Sequence, residues 1–447
     1  MKRQLISELE KWKTSPRRKP LLLLGARQVG KTWLLKEFGR THFQHTVYIR
    51  FDRDAQMKAV FEKDYDMRRI QTGIELHAQK SLVAGETLLI LDEIQECPAA
   101  LTSLKYFCED LPHFHVAAAG SLLGLCQHQG TGFPVGKVNM MHLYPMCFTE
   151  FLEAMGQGRT AELLRSGDWE MITLFSERLI EYLRYYYFVG GMPEAVAAFA
   201  ADRDFNAVRA IQLDLLDAYR RDFSKHAPPE LWPRIALIWD SLPTQLSREN
   251  KKFLCSSVKK GLRMRDLELA LFWLQDAGLV YTVRRVSKPA IPVDAYSENA
   301  FKLFHLDVGL LAAQAGLQAG VILEGNKIFQ EFKGALAEQY VQQELRATLV
   351  VEPYYWISQN GQSEIDFLIQ HELSLVPIEV KAELNLTAKS LKAYCLKFAP
   401  PMAVRTSMAN YHTQKISISE DKMYKQIDIP LYALSRLKQE LNVAANQ

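Results

Sequence analysis

The sequence predicts a multidomain α/β protein: an N-terminal parallel-sheet domain, a helical and winged-helix-like middle, and a second α/β domain at the C-terminus. Three observations carry that prediction. Short apolar runs alternate with helical segments up to about Pro145, the pattern of a parallel sheet covered on both faces. Strand-like runs return only after about Phe301, beyond a long helical stretch. The chain has 447 residues, too many for one hydrophobic core.

Taken in order, residues 1–15 read as a basic amphipathic helix that Pro16 ends, because the residue before a proline is pushed out of helical geometry. Strands follow at Leu21–Leu24, Val47–Phe51, Leu88–Leu91 and Val116–Ala119. Residues 148–225 read as several helices, broken once at Gly190-Gly191-Met192-Pro193. A helix over Asp266–Asp276 buries Leu267, Leu271 and Leu274 at helical spacing, and Gly278 ends it before a strand from Leu279. The C-terminal strands are Phe304–Leu306, Tyr354–Ile357, Ile365–Ile369, Val376–Val380 and Met402–Arg405, with a helix at Gly334–Leu345.

Composition narrows the classes. Hydrophobic residues make up 48%, as in a globular chain. The net charge of +3 is too small to argue nucleic-acid binding, which must come from a local patch. None of the six cysteines (Cys97, Cys108, Cys126, Cys147, Cys255, Cys395) forms a C-x-x-C pair, so zinc-finger and redox readings are set aside. The N-terminus lacks the apolar run of a signal peptide, and no stretch approaches the ~20 apolar residues of a membrane span. A cytoplasmic location with no membrane partner is expected.

Gly25-Ala26-Arg27-Gln28-Val29-Gly30-Lys31-Thr32 matches G-x-x-x-x-G-K-[ST] between a strand and a helix that carries on through Trp33. This Walker A loop lets backbone N–H groups curl around phosphate oxygens at a helix N-terminus. Lys31 would reach the β- and γ-phosphates and Thr32 would offer a hydroxyl to Mg²⁺. Asp92 and Glu93 end the strand Leu88–Leu91 at the edge where ligands bind in such sheets. Asp92 is assigned to Mg²⁺ and Glu93 to the general base that polarises the attacking water. Ser121, just past the next strand, is placed either to sense the γ-phosphate or to cap a turn. Arg27 and Lys137 either add charge near the phosphates or are solvated surface cations.

Between Lys251 and Lys288 lie Lys252, Lys259, Lys260, Arg263, Arg265, Arg284 and Arg285, opposed only by Asp266, Glu268 and Asp276. Helix, glycine, strand and basic turn fit a winged helix. The charge is read either as a phosphate-neutralising patch for DNA or RNA or as a solvated face. Further on, Asp366 opens one strand, and Glu379 and Lys381 lie two apart on the next, so both point to one face. This is a D…E-x-K arrangement, the pattern of restriction-endonuclease-like folds. Glu338, on the helix upstream, adds a carboxylate. Asp366 and Glu379, with Glu338, would bind Mg²⁺ through oxygen, and Lys381 would orient water and stabilise charge on phosphate. A fold that has lost activity presents the same residues. Asn360-Gly361 predicts a tight turn before the Asp366 strand. Lys389, Ser390, Lys392 and Tyr394 line the site or form an exposed helix face.

Taken together, the P-loop, Leu91-Asp92-Glu93-Ile94-Gln95, Gly120-Ser121, Leu143-Tyr144-Pro145 with Phe148 and Glu150-Phe151, and Gly190-Gly191-Met192-Pro193-Glu194 resemble one family. It is the AAA+-like prokaryotic ATPases with a C-terminal domain long labelled as of unknown function. The resemblance spans nearly the whole chain. It implies an AAA+-like core at 1–150, a helical region at 151–232, a winged-helix-like segment at 233–298 and a restriction-endonuclease-like fold at 299–447. Gly136-Lys137 stands where relatives often carry Gly-Arg, and Lys lacks the planar fork of an arginine finger. AAA+ relatives often form rings, and no motif here decides for a homo-oligomer.

Three functions follow. The first is an ATP-dependent enzyme acting on nucleic acid. The second is a regulatory ATPase switch whose nuclease-like domain binds DNA or a protein without cleaving. The third, a small-molecule kinase, is disfavoured by the Asp92-Glu93 pair and the long C-terminal half.

Overall fold

The computed structural model describes residues 1–121, 133–248, 251–324, 330–383, 388–419 and 422–445. The chain divides into two compact units, Lys2–Tyr144 with Asp276–Leu279, and Pro145–Gln275 with Val280–Gln447.

The first unit is built on a five-stranded sheet of β1 (Leu21–Leu24), β2 (His45–Arg50), β3 (Thr87–Asp92), β4 (His115–Ala119) and β5 (Asn139–His142). The order is β2-β3-β4-β1-β5 and every pairing is parallel. All residues of β1, β3 and β4 are buried, which is why they read as unbroken apolar runs. Leu22, Leu24, Val47, Ile49, Leu89 and Leu91 pack in one cluster with Phe51, Phe61 and Phe107. β5, half exposed and reading Asn-Met-Met-His, is absent from the strands expected from sequence; its alternating exposure leaves no apolar run to find.

The second unit carries helices from Phe148–Ala154 to Trp232–Leu246, then an eight-stranded mixed sheet. Its strands are β6 (Val280–Val286), β7 (Ser297–His305), β8 (Tyr354–Ile357), β9 (Glu364–His371), β10 (Ser374–Val380), β11 (Met402–Ser407), β12 (His412–Ser419) and β13 (Lys422–Pro430). The order is β12-β13-β11-β10-β9-β8-β6-β7. The helix Met264–Asp276 and the antiparallel pair β6–β7 are the elements expected of a wing. They do not form a separate segment, however. β6 pairs in parallel with β8, Arg284 opposite Tyr354, so a boundary at 298 cuts through one hydrogen-bonded sheet. Each strand of the C-terminal expectation has its counterpart in β7 to β11, whereas β12 and β13 were not foreseen. The predicted turn is present, with Gly361 at φ +71° and its N–H donating to Ser358 O at 2.9 Å.

The motif residues 145–151 and 190–194 meet inside this unit. Met146 N–H donates to Gly191 O at 2.7 Å, and Gly191 N–H donates to Asp307 Oδ2 at 2.6 Å. Asp307 Oδ1 accepts from Leu310 N–H, and Gln343 bridges the Tyr186 hydroxyl and Asp307. Tyr186 in turn donates to Met146 O. Phe148 N–H donates to the buried Glu344 carboxyl, which burial pushes up to about 8. These motif residues build a buried joint. Among the described residues no helix is long and apolar enough to cross a membrane, and the described cysteines form no disulfide; Cys126 lies outside them.

Candidate functional site

The P-loop joins β1 to the helix Lys31–His42. Two glycines are required by its geometry. A Cβ on Gly25 would sit 2.4 Å from Leu143 O, and Gly30 has φ +97° at the helix N-cap. Gln28 also takes a left-handed φ of +65°. The helix start has no side-chain cap, so its first N–H groups are left for an anion. Ala26 and Val29 are buried under the loop, whereas Arg27 and Gln28 are exposed. Arg3 is buried beneath it and donates to Val29 O at 2.8 Å and Tyr144 O at 2.6 Å, bracing the loop from the N-terminal segment.

Lys31 Nζ donates to Gly25 O and Ala26 O, each at 2.9 Å, folded back on the loop's own carbonyls. Burial lowers its ammonium to about 8, with Glu93 and Asp92 opposing the shift. Thr32 Oγ1 donates to Asp92 Oδ2 at 2.8 Å. Asp92 is buried, and its Oδ1 accepts from Glu93 N–H. Glu93 itself stands at φ +51°, a left-handed turn that carries its carboxylate off the end of β3.

Two partners were not foreseen. The Tyr48 hydroxyl, on β2, also donates to Asp92 Oδ2 at 2.8 Å, and Lys36 Nζ lies 3.6 Å from the Tyr48 ring centroid. Gln95 Nε2 donates to Glu93 Oε2 at 2.5 Å. The parallel register of β2 on β3 places Tyr48 against Ile90, a pairing that the sequence does not print. Tyr48→Phe removes one hydrogen bond to a charged acceptor. It is expected to raise the Mg²⁺ concentration for half-maximal ATP turnover about tenfold, measured in a Mg²⁺ titration.

Ser121 is buried at the C-terminal end of β4. Trp33 is 43% exposed on the helix surface. Lys137 pairs with Glu109 at 2.9 Å, the surface role foreseen as its alternative. The donor set suits a Mg²⁺–triphosphate: a hydroxyl and a carboxylate in contact, an ammonium, and an uncapped helix start around a glycine-lined loop.

The second cluster lies in the C-terminal sheet. The helix Gln330–Glu344 carries Glu338, β9 carries Glu364 and Asp366, β10 carries Glu379, and Lys381 follows it. Lys381 Nζ donates to Glu379 Oε1 at 2.7 Å, and Val380 N–H donates to Asp366 Oδ2 at 2.8 Å. Lys302, on β7, is only 1% exposed. Its Nζ lies 2.5 Å from Glu364 Oε1, 3.3 Å from Glu338 Oε2 and 3.9 Å from Asp366 Oδ1. Lys251 pairs with the other Glu338 oxygen. Burial pushes the Asp366 carboxyl well up, and Glu338 and Glu379 push it further. Burial also raises Glu338, but Lys251 and Lys302 outweigh it and hold that carboxyl low. So the sequence-derived residues are brought together, but with two lysines and Glu364 that were not foreseen. A lone Lys302 inside the apolar run Phe301–Phe304 was the available signal.

Among the described residues no three His, Cys, Asp or Glu side chains are grouped to hold a metal ion. The expected Mg²⁺ set of Glu338, Asp366 and Glu379 therefore does not fit, because ammonium groups stand among the carboxylates. Lys389 and Lys392 are exposed, Tyr394 is core against Trp356, and Ser390 Oγ accepts from Glu364 N–H at 3.4 Å. Part of the basic middle is neutralised: Arg284 pairs with Asp294, Arg285 with Glu298 and Lys251 with Glu338.

Residues 17–152 match the family model described as "AAA domain". With the parallel order β2-β3-β4-β1-β5, that match supports an AAA+-like P-loop NTPase α/β fold for the first unit. Residues 180–320 and 333–429 match two further models, each described as a domain of unknown function, DUF8612 and DUF4143. No curated protein matches the chain. Among solved structures, the Walker-type ATPase PABY2304 of Pyrococcus abyssi is similar at 16% identity and TM-score 0.44, covering 70% of this chain and 95% of that one. Cdc6p from Pyrobaculum aerophilum is similar at 12% identity and TM-score 0.27, covering 72% and 93%. The Aeropyrum pernix ORC1 protein, solved in complex with DNA, gives 12% and 0.27, covering 70% and 90%. Likenesses this distant carry neither substrate nor partner to this chain.

Proposed function

We propose that the chain is a Mg²⁺-dependent ATPase of AAA+ type. The observation that carries this reading is the contact of Thr32 with Asp92 at the end of β3, with Glu93 next in line and Lys31 folded on the loop. Gly25 to Trp33 bind the nucleotide, with Lys31 on the β- and γ-phosphates and Ser121 at the γ-phosphate. Thr32 and Asp92 would hold Mg²⁺, which supplies charge neutralisation between those phosphates. Glu93 takes the proton of the attacking water. Gln95 holds the Glu93 carboxylate until a water arrives to compete for it. The test is saturable Mg²⁺–ATP binding and steady phosphate release by the full chain; absence of both sinks the reading.

The pH dependence has a definite sign. Lys31 must be charged to hold phosphate, and in the nucleotide-free site its pKa lies at about 8. Bound phosphate favours the ammonium and raises that value, so binding takes up a proton above it. The apparent Kd for ATP is expected to be flat below that pH and to rise about tenfold per pH unit above it. Calorimetry in buffers of different ionisation enthalpy reads the proton directly.

For the C-terminal domain we favour a restriction-endonuclease-like fold that binds nucleic acid or a partner under ATP control without cleaving. The D…E-x-K residues support the fold assignment, and the two lysines from outside that motif, Lys302 and Lys251, support the absence of cleavage. Retained oligonucleotide binding without cutting in Mg²⁺ or Mn²⁺ is expected. Cleavage lost in Lys381→Ala would favour the enzyme acting on nucleic acid instead.

A further inference from the structure

The carboxylates that a nuclease would turn on a metal are already spoken for. Three of them, Glu338, Glu364 and Asp366, each direct an oxygen to one ammonium, Lys302 Nζ. The second Glu338 oxygen meets Lys251, the second Asp366 oxygen accepts from Val380 N–H, and Glu379 Oε1 accepts from Lys381. Glu379 Oε2 is buried and has no hydrogen-bond partner among the described residues. A hard divalent ion needs several oxygen ligands at once, and most of the oxygens of this cluster already face an ammonium or an N–H donor.

Charge makes the same point. With every group ionised, four carboxylates face three ammonium groups, one negative charge from neutrality, and the upward shift of the Asp366 carboxyl brings the cluster closer still. A divalent ion would overshoot to one positive, in a site where an uncompensated charge is costly. Lys302 cannot readily swing away to make room. Its strand β7 is the edge partner of β6, paired from Val280 opposite His305 to Val286 opposite Ser297, and its ammonium sits 5.2 Å from the Tyr355 ring centroid. Phe301, Leu303 and Phe304 beside it are buried.

We infer that Lys302 is the resident cation of the C-terminal carboxylate cluster, standing where a nuclease would hold a divalent metal. The cluster is a lysine-locked structural centre, and it meets its ligand without metal-dependent hydrolysis. The functional consequence rests on the endonuclease-like reading above, while the ion assignment rests on geometry alone.

The test uses the full chain without nucleotide and Mn²⁺ titrated under paramagnetic resonance, comparing wild type with Asp366→Asn and with Lys302→Met. Wild type is expected to show no Mn²⁺ binding that Asp366→Asn removes. Lys302→Met, which keeps length and loses charge, is expected to gain one Mn²⁺ site at least about tenfold tighter than any in wild type. That site should vanish when Asp366→Asn is added. Mn²⁺ binding by wild type that Asp366→Asn abolishes would overturn the inference, and so would a folded Lys302→Met that gains no site. Should Lys302→Met fail to fold, the wild-type comparison still decides. Oligonucleotide binding on the same samples is a separate readout: its loss would remove the nucleic-acid reading and leave the ion assignment standing.

Discussion

Glu93→Gln is expected to bind Mg²⁺–ATP as the wild type does and to hydrolyse it about 10²–10⁴-fold more slowly, the usual contribution of a positioned general base. The substitution keeps the side chain's length and its partner Gln95, and it leaves the left-handed backbone at position 93 untouched. Only the proton acceptor is lost. Single-turnover phosphate release with binding measured in parallel separates the two effects, and hydrolysis at the wild-type rate would remove Glu93 from the mechanism. Lys31→Ala is the complementary case. It deletes the ammonium that now rests on Gly25 O and Ala26 O, so binding itself is expected to fail. The two variants should therefore split cleanly, one in turnover and one in affinity.

How much of this site was legible before folding follows from burial. β1, β3 and β4 are covered on both faces, so each is a largely apolar run that ends at the residues of the candidate site. The loop glycines and the acids at positions 92 and 93 are contiguous with those runs. Arg3, Tyr48 and Gln95 were not legible as parts of the site. Arg3 reaches Val29 O over 26 positions and Tyr48 reaches Asp92 over 44, and no local spacing encodes either contact. Gln95 is close in sequence, but only the turn at Glu93 directs its amide onto that carboxylate.

In the C-terminal sheet the same logic fails sooner. β12 has no buried residue, so His412–Ser419 offers no apolar run to mark a strand. The D…E-x-K residues are two strands of a hairpin and were found by spacing, with Asp366 and Glu379 each in place on adjacent strands β9 and β10. What spacing cannot supply is the third dimension: Lys302 comes from β7 and Lys251 from a segment further upstream, and both change the charge of the cluster. A carboxylate motif read without Lys251 and Lys302 points to a metal, and those two counter-ions are what the proposal of a lysine-held cluster rests on.

The glycine motif at 190–194 makes a sharper demand, and Gly191→Ala tests it. A Cβ there would lie 2.1 Å from Met146 O and 2.7 Å from Met146 N, both backbone atoms. Relief requires the two segments to part, which breaks the Met146 N–H to Gly191 O bond and strains the Gly191 N–H bond to the buried Asp307. The neighbours have no slack either: a Cβ on Gly190 would strike Asp307, and one on Gly309 would strike the backbone of Val189 and Gly190. Loss of about 4 kcal/mol or more is expected, in the range reserved for backbone clashes and orphaned buried groups. Gly156→Ala is the control, because Gly156 has φ +75° with open space around its missing Cβ and should cost only ~1–2 kcal/mol for the left-handed backbone. Calorimetry with hydrogen exchange at 190–194 and 307–310 resolves the local effect in a chain of more than one unit. Equal stability of the two variants would mean that the joint relaxes, and that close packing is not why glycine occupies position 191.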